Sequence, residues 1–164
     1  MPQPTPRRAS ARPRATRRPA PGIELSEMLC FDLYAASRAV TAAYRVLLEG
    51  LGVTYPQYLV LVVLWREGPC QVKELAERLQ LDYGTLTPLL RRMEVAGLVT
   101  RRRRPEDERS VEIALTTTGS ALEKPSRELP PAVLAAFGLS REEAVSLQET
   151  LRHVTDSAKR SAAG

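Results

Sequence analysis

A mainly α-helical fold carrying one small β-hairpin is what this 164-residue sequence predicts, and three observations predict it. Apolar residues recur at three- and four-residue steps over most of the chain, the period of an amphipathic helix. One short stretch, residues 98–115, alternates instead with period two on either side of a polar tip. Glycines and prolines at Gly50, Gly52, Gly68-Pro69, Gly97 and Gly138 punctuate the helical stretches.

Residues 1–22 hold six arginines (Arg7, Arg8, Arg12, Arg14, Arg17 and Arg18), six prolines and no acid. Such a segment cannot bury a core and reads as a disordered basic tail. The domain proper spans 23–164. Its first helix is expected over Glu24–Leu48 with Ser26 as N-cap. There Leu25, Leu29, Leu33, Ala36, Val40, Ala43 and Leu47 form one apolar stripe, closed by Gly50 and Gly52. A second helix, Tyr55–Arg66, carries Pro56 in its first turn, where a missing N–H costs little. It is apolar almost all round and so expected to be buried.

After Gly68-Pro69 a short helix spans Val72–Leu79, with Leu75, Ala76 and Leu79 on one face. Gln80-Leu81-Asp82 then leads into a helix that runs to Ala96 and ends at Gly97. Two short helices joined by a three- or four-residue turn make a helix-turn-helix. The start of the second is open. Asp82 as N-cap puts Pro88 in the second turn, where it should kink the helix, whereas a start at Gly84 or Thr85 relieves it. Strands Leu98–Arg103 and Arg109–Leu115 follow around Pro105-Glu106-Asp107-Glu108, with Val111, Ile113 and Leu115 facing inward. A hairpin directly after a helix-turn-helix is a wing. From Thr118 to Arg160 the chain is helical with breaks. Pro125 and Pro130-Pro131 interrupt one helix, Gly138 ends it, and Ser140 with Glu143 makes a capping box for the last. The winged helix-turn-helix thus covers 55–117, between helical segments 23–54 and 118–164.

The net charge of +5 does not by itself indicate a nucleic-acid partner. Without the tail, 18 basic residues face 19 acidic ones, so local clusters must carry the argument. Two cysteines are too few for a disulfide framework. A single histidine with no Cys/His cluster supplies no metal-ligand set, and no cofactor is expected. The longest apolar stretch, Tyr58–Trp65, is too short to span a bilayer. With no apolar leader in the tail either, a cytoplasmic, reducing compartment with free thiols is expected.

The local clusters are there. Tyr83, Thr85, Thr87, Arg91 and Arg92 are available on the second helix of the pair to enter a major groove, while Leu86, Leu89, Leu90 and Met93 face the core. Threonine hydroxyls near a helix start suit phosphates. Arg101, Arg102, Arg103, Arg104 and Arg109 crowd the hairpin, where they repel one another unless phosphates neutralise them. Asp107 and Arg109 lie two apart in an extended segment and point the same way. Asp107 is therefore expected to brace a guanidinium that enters a minor groove. Each feature alone has a plainer explanation, an arginine run as a solvated face or a threonine as a cap. Their combination points to double-stranded DNA.

The stretch from Leu75-Ala76-Glu77 through Asp107-Glu108-Arg109-Ser110-Val111-Glu112-Ile113-Ala114-Leu115-Thr116 resembles the MarR family of winged-helix regulators. Within it the chain looks most like the organic hydroperoxide-sensing (OhrR) branch. The stretches that carry this likeness are Leu29-Cys30-Phe31-Asp32-Leu33-Tyr34-Ala35-Ala36-Ser37-Arg38, Leu51-Gly52-Val53-Thr54-Tyr55-Pro56-Gln57-Tyr58 and Leu81-Asp82-Tyr83-Gly84-Thr85-Leu86-Thr87-Pro88-Leu89-Leu90. The likeness covers residues 24–160. It implies a homodimer whose N- and C-terminal helices interlock, a pseudo-palindromic operator, and Cys30 as the peroxide-reactive cysteine. It further implies that Tyr34, Tyr44 and Tyr55 are the sensing tyrosines, the last two reaching Cys30 from the partner subunit.

Helix geometry agrees with that arrangement. Tyr34 lies one turn from Cys30, but Tyr44 lies fourteen residues on, roughly 21 Å along a helix axis. Only two antiparallel helices would bring Tyr44 of one to Cys30 of the other. A thiolate attacks peroxide to give a sulfenic acid, which a small thiol then caps. Taken alone, Cys30 reads as a small buried hydrophobe, and Cys70 as incidental, with a resolving role left open. Asp32 departs from the apolar residue usual in that branch. Three other readings compete: a MarR-type regulator released by a small phenolic ligand, a thiol peroxidase and an architectural DNA binder. The Arg-rich wing argues against the enzyme.

Overall fold

The computed structural model describes residues 22–104 and 107–162. The tail through residue 21 and the hairpin tip at Pro105-Glu106 lie outside the described residues, as do the side chains of 103, 104 and 107–110. The elements run α1 (Leu29–Leu47), α2 (Tyr55–Glu67), β1 (Cys70–Gln71), α3 (Val72–Leu79), α4 (Tyr83–Val95), β2 (Val99–Arg104), β3 (Asp107–Leu115), α5 (Thr117–Ala121), α6 (Glu123–Ser126), α7 (Leu129–Phe137) and α8 (Arg141–Ala162). The chain divides into two compact units between Ala35 and Ala36, inside α1.

In the first unit the helix begins later than expected. Leu25–Glu27 form a 3-10 turn, and Met28 is extended at φ −101°, ψ 104°. Ser26 does not cap α1, because its hydroxyl donates to the Glu24 carboxylate at 3.4 Å.

The second unit holds the core. Leu48, Val60, Leu61, Leu64, Leu75, Leu86, Leu90, Met93, Val99 and Ile113 are all but fully buried. They come from Leu48 just past α1, from α2, α3 and α4, and from the sheet. Thr54 and Gln57 cap α2 reciprocally, the Thr54 N–H donating to Gln57 Oε1 at 2.8 Å. Gln71 and Glu74 do the same for α3, Gln71 N–H to Glu74 Oε2 being 2.6 Å. The turn of the helix-turn-helix is set by Gln80, the one non-glycine residue at positive φ (54°) among those described. Its left-handed backbone lets Leu81 N–H donate to Ala76 O at 3.0 Å.

The sheet has order β1-β3-β2, all antiparallel. Strand β1 was not expected from the sequence. It pairs Cys70 with Ile113 and Gln71 with Glu112, which ties the start of α3 to the hairpin. Register in the hairpin runs from Val99↔Leu115 to Arg103↔Val111 and slips between Arg103 and Arg104, a bulge where the wing leaves the core. β3 starts at Asp107, two residues before the expected Arg109.

Beyond the wing, Pro130 and Pro131 do not interrupt a helix. They sit in the first turn of α7, where the orphan N–H groups make proline tolerable. Ser140 and Glu143 form the expected capping box: Ser140 N–H to Glu143 Oε2 is 2.8 Å and Glu143 N–H to Ser140 Oγ is 3.1 Å. Helix α8 has no buried residue, and Val145, Leu147 and Leu151 are exposed along it. No helix of the described residues is long and apolar enough to cross a membrane.

Candidate functional site

Helix α4 begins at Tyr83 with Asp82 as its N-cap and continues through Pro88. The sequence had left that start open, and burial explains the outcome. A proline in a helix interior costs about 3 kcal/mol. Burying an aliphatic side chain stabilises by about 1.5–3 kcal/mol. This helix buries four at once, Leu86, Leu89, Leu90 and Met93. Packing therefore outweighs the broken hydrogen bond.

At the cap, Asp82 Oδ1 accepts the Thr85 N–H at 2.8 Å and Oδ2 accepts the Thr85 hydroxyl at 2.9 Å. Thr85 thus spends its hydroxyl proton on the cap, which leaves its oxygen as an acceptor. The Thr85 side-chain and backbone hydrogen bonds hold the Asp82 carboxyl below its ordinary range. A depressed carboxyl stabilises the fold above its unfolded-state value and loses that contribution as pH falls through the lower folded-state value. Asp82→Ala is accordingly expected to lower the melting temperature at neutral pH, and the gap to wild type should close as pH drops below about 3.8, the ordinary carboxyl value. Thermal melts of both proteins between neutral pH and pH 3 check this; a gap independent of pH would remove the carboxylate from the cap.

Tyr83, Thr87, Arg91 and Arg92 are exposed on α4. Pro88 and Val95 are exposed as well, Val95 at 85%. Sequence reasoning weighed Pro88 only as a kink in the helix and named neither residue for the DNA-facing side. At 100° per residue, however, Gly84, Pro88, Arg91 and Val95 stand directly opposite the buried face.

In the wing the arginines separate by strand alternation. Arg101 pairs in register with buried Ile113 and is only 27% exposed, its guanidinium 3.8 Å from Glu94 of α4. It braces α4 against β2 instead of standing free with the run. The period of two carried this signal, since Val99 and Arg101 share a face. Arg102 is exposed and stands opposite Glu112. The side chains of Arg103, Arg104, Asp107 and Arg109, and with them the expected Asp107–Arg109 brace, lie outside the described residues.

The sensing candidates fall in both units. Cys30 and Tyr34 belong to the first, both exposed in α1. The exposed Cys30 does not fit the plainer alternative of a small buried hydrophobe and has the access that a reactive thiol needs. Tyr44 and Tyr55 belong to the second unit, and there they meet. Their rings stack at 4.1 Å between centroids with 22° between planes. Tyr58 and Phe137 approach Tyr44 at 6.0 and 6.5 Å. Burial first, then the neighbouring Tyr55 and Tyr58, pushes the Tyr44 phenol up to about 12; burial raises Tyr55 too. Both phenols therefore stay protonated donors across the neutral range. Beside Tyr55 a cleft of about 530 Å3 opens, lined by Ser37, Arg38, Thr41, Arg45 and Thr54 among others.

Cys70 is different in kind. It is buried in β1, and burial, then Glu74, Glu67 and Glu112, push its thiol up to about 11 against the weaker pull of Arg78. A thiol held protonated is a poor nucleophile. Among the described residues no group of His, Cys, Asp and Glu is arranged to hold a metal.

Comparison with known proteins agrees with this geometry. The MarR family model matches residues 53–111, from the approach to α2 through the wing. The organic hydroperoxide resistance transcriptional regulator of Bacillus subtilis is 47% identical over 127 residues, 77% of this chain and 84% of that one. Among solved structures, reduced AbfR of Staphylococcus epidermidis bound to DNA superposes with a TM-score of 0.68 at 34% identity, covering 83% of this chain and 93% of the other. The disulfide-formed AbfR gives 0.55 at 36%, covering 80% and 92%. With its helix-turn-helix, its three-stranded wing sheet and these relatives, the chain belongs to the MarR family of transcriptional regulators.

Proposed function

We propose that this protein is a homodimeric, cytoplasmic DNA-binding repressor, not an enzyme, that senses organic hydroperoxides through Cys30 and then releases a pseudo-palindromic operator. The observation that carries the reading is an exposed Cys30 thiol in a chain that also presents two protonated phenols side by side, Tyr44 on Tyr55. The Bacillus subtilis relative, named for organic hydroperoxide resistance, and the reduced and disulfide forms of AbfR support it. Residues 55–117 form the DNA-binding unit, and 23–54 with 118–164 form the dimer. Exposed Val145, Leu147 and Leu151 on α8 supply apolar surface for that dimer.

On DNA, Tyr83, Thr85, Thr87, Arg91 and Arg92 face the major groove and its phosphates. Arg102, Arg103, Arg104 and Arg109, with Asp107 as brace, serve the adjacent minor groove and backbone, and Arg101 holds the wing to α4. In the chemistry, the Cys30 thiolate attacks one peroxide oxygen. The O–O bond breaks, Cys30 keeps the attacked OH as a sulfenic acid, and the alkoxide leaves as an alcohol by taking from solvent the proton that the thiol released on ionising. A small thiol then displaces water to give a mixed disulfide. Tyr44 and Tyr55 of the partner subunit, with Tyr34, donate to the thiolate. Oxidation removes that acceptor and shifts the spacing of the two recognition helices.

The test uses a duplex selected from a random library. One equivalent of cumene hydroperoxide should abolish binding by wild type, excess dithiothreitol, which reduces the sulfenic acid and the mixed disulfide alike, should restore it, and Cys30→Ser should bind throughout. A Cys30→Ser protein that still leaves the duplex sinks the reading. The cleft beside Tyr55 favours a second reading, release by a small phenolic ligand without cysteine chemistry. That reading requires Cys30→Ser to respond to the ligand as wild type does.

A further inference from the structure

Helix α2 carries an aromatic stripe at Tyr55, Tyr58 and Trp65, spaced three and seven residues apart on one face. At one end Tyr55 stacks on Tyr44, and Tyr58 lies 6.0 Å from the same ring. At the other, Tyr58 meets Trp65 edge-on at 6.0 Å. Trp65 then leaves the helix face by a single polar contact: its Nε1–H donates to the Gly119 carbonyl in α5 at 3.0 Å, across 54 residues of sequence.

Gly119 is fastened in turn to the point where both DNA-facing elements join. Its N–H donates to Thr116 Oγ1 at 3.0 Å. The Thr116 hydroxyl lies 2.6 Å from Gly97 O and 3.1 Å from Leu98 O, and the Thr116 N–H also donates to Leu98 O, at 3.1 Å. Gly97 and Leu98 are the two residues nearest the junction of α4 with β2. A contiguous set of ring contacts and hydrogen bonds thus runs from the phenol pair to the hinge between recognition helix and wing. Trp65, Tyr44, Tyr55 and Tyr58 pack against the edge of the core, but that packing needs their rings and not the indole N–H. Trp65 is only partly buried, and phenylalanine would fill most of the same space without the N–H.

We propose that Trp65 is the positioning residue that couples the Tyr44–Tyr55 phenols to the α4–β2 junction. The proposal deepens the sensor reading above and rests on it. When the phenols lose the thiolate they had donated to, the Tyr44–Tyr55 stack rearranges. Tyr58 and Trp65 move with it, and the indole N–H pulls or frees Gly119. Because α2 is a continuous helix, a displacement at Tyr55 reaches Trp65 without being absorbed between them.

Trp65→Phe keeps the ring and removes the donor. Full-length wild type and Trp65→Phe are compared for Cys30 oxidation by intact mass, for melting temperature, and for duplex affinity before and after one equivalent of cumene hydroperoxide with a small thiol. The expected result is equal oxidation and near-equal affinity when reduced, with the oxidised-to-reduced Kd ratio contracted about ten-fold; allosteric couplings typically span about 5–150-fold. A merely structural role for the indole would change the melting temperature and leave that ratio alone. A wild-type ratio in Trp65→Phe overturns the relay while the sensor reading stands. A wild type whose affinity ignores Cys30 oxidation overturns both.

Should Trp65→Phe fail to fold, wild type alone suffices, because Trp65 is the chain's single tryptophan. Its emission should shift on oxidation in wild type and stay constant in Cys30→Ser. Constant emission in oxidised wild type overturns the proposal.

Discussion

Gly119→Ala is expected to destabilise the protein by about 1–3 kcal/mol or more, the range for overpacking a filled interior. That corresponds to a fall of about 2–4 °C in Tm per kcal/mol for a chain of this size. A Cβ at this position would clash with Leu98 O and stand 3.1 Å from Leu98 C, with Leu115 Cδ2 at 3.2 Å. The first two are backbone atoms of the chain entering β2, so no rotamer change can relieve them. Leu98 O is also the acceptor for both Thr116 N–H and Thr116 Oγ1, and moving it away strips the N-cap arrangement of α5. Gly50→Ala is the matched control, since a Cβ there meets nothing within 4 Å. Calorimetry on the three proteins decides the matter. A Gly119→Ala melt indistinguishable from that of Gly50→Ala would mean that α5 and β2 do not approach as closely as described. Duplex affinity should fall in Gly119→Ala as well, because the strand displaced is the one that sets the wing.

Much of this fold was legible because its helices carry their own punctuation. Val72–Leu79 follows the Gly68-Pro69 break, and the apolar period of α4 placed Leu86, Leu89, Leu90 and Met93 inside without any tertiary information. Where the reading went astray, a longer-range contact had decided the outcome. Strand β1 is two residues long, too short for any periodicity, and exists only because Ile113 and Glu112 arrive from forty residues away to pair with it. Pro130-Pro131 looked like a break because proline disrupts a helix interior, yet the same residues open α7. Arg101 was grouped with its neighbours by charge although alternation assigned it to the core face. At the proposed sensing site, the residue types came from resemblance, whereas the stacking of Tyr44 on Tyr55 depends on how the end of α1 meets the start of α2. Trp65 and Gly119 could not have been joined from sequence at all: one hydrogen bond across 54 residues leaves no local pattern.

The division of labour on α4 makes the remaining prediction. Taking the buried face as Leu86, Leu89, Leu90 and Met93, Arg91 points almost straight outward with Gly84 and Pro88, whereas Arg92 leans to one flank. Gly84 has no side chain and Pro88 a compact one, so in the proposed docking the helix backbone would come close to the groove floor and Arg91 would reach base edges. A guanidinium bidentate to guanine discriminates by about 1–3 kcal/mol. Arg91→Ala is therefore expected to weaken the selected duplex by about 5- to 150-fold while hardly affecting random duplex. Arg92→Ala, if its flank meets the phosphate backbone in the proposed docking, should weaken both duplexes alike and reduce the slope of log K against log salt by about one. Titrations of the two variants on selected and random duplexes at several salt concentrations separate these outcomes. If Arg91→Ala weakens both duplexes equally, Arg91 is a phosphate contact and the bases are read from the wing or from Tyr83 and Thr87. If it is Arg92→Ala that erases the preference, α4 enters the groove rotated toward its flank, and Pro88 and Val95 face the sugar–phosphate wall.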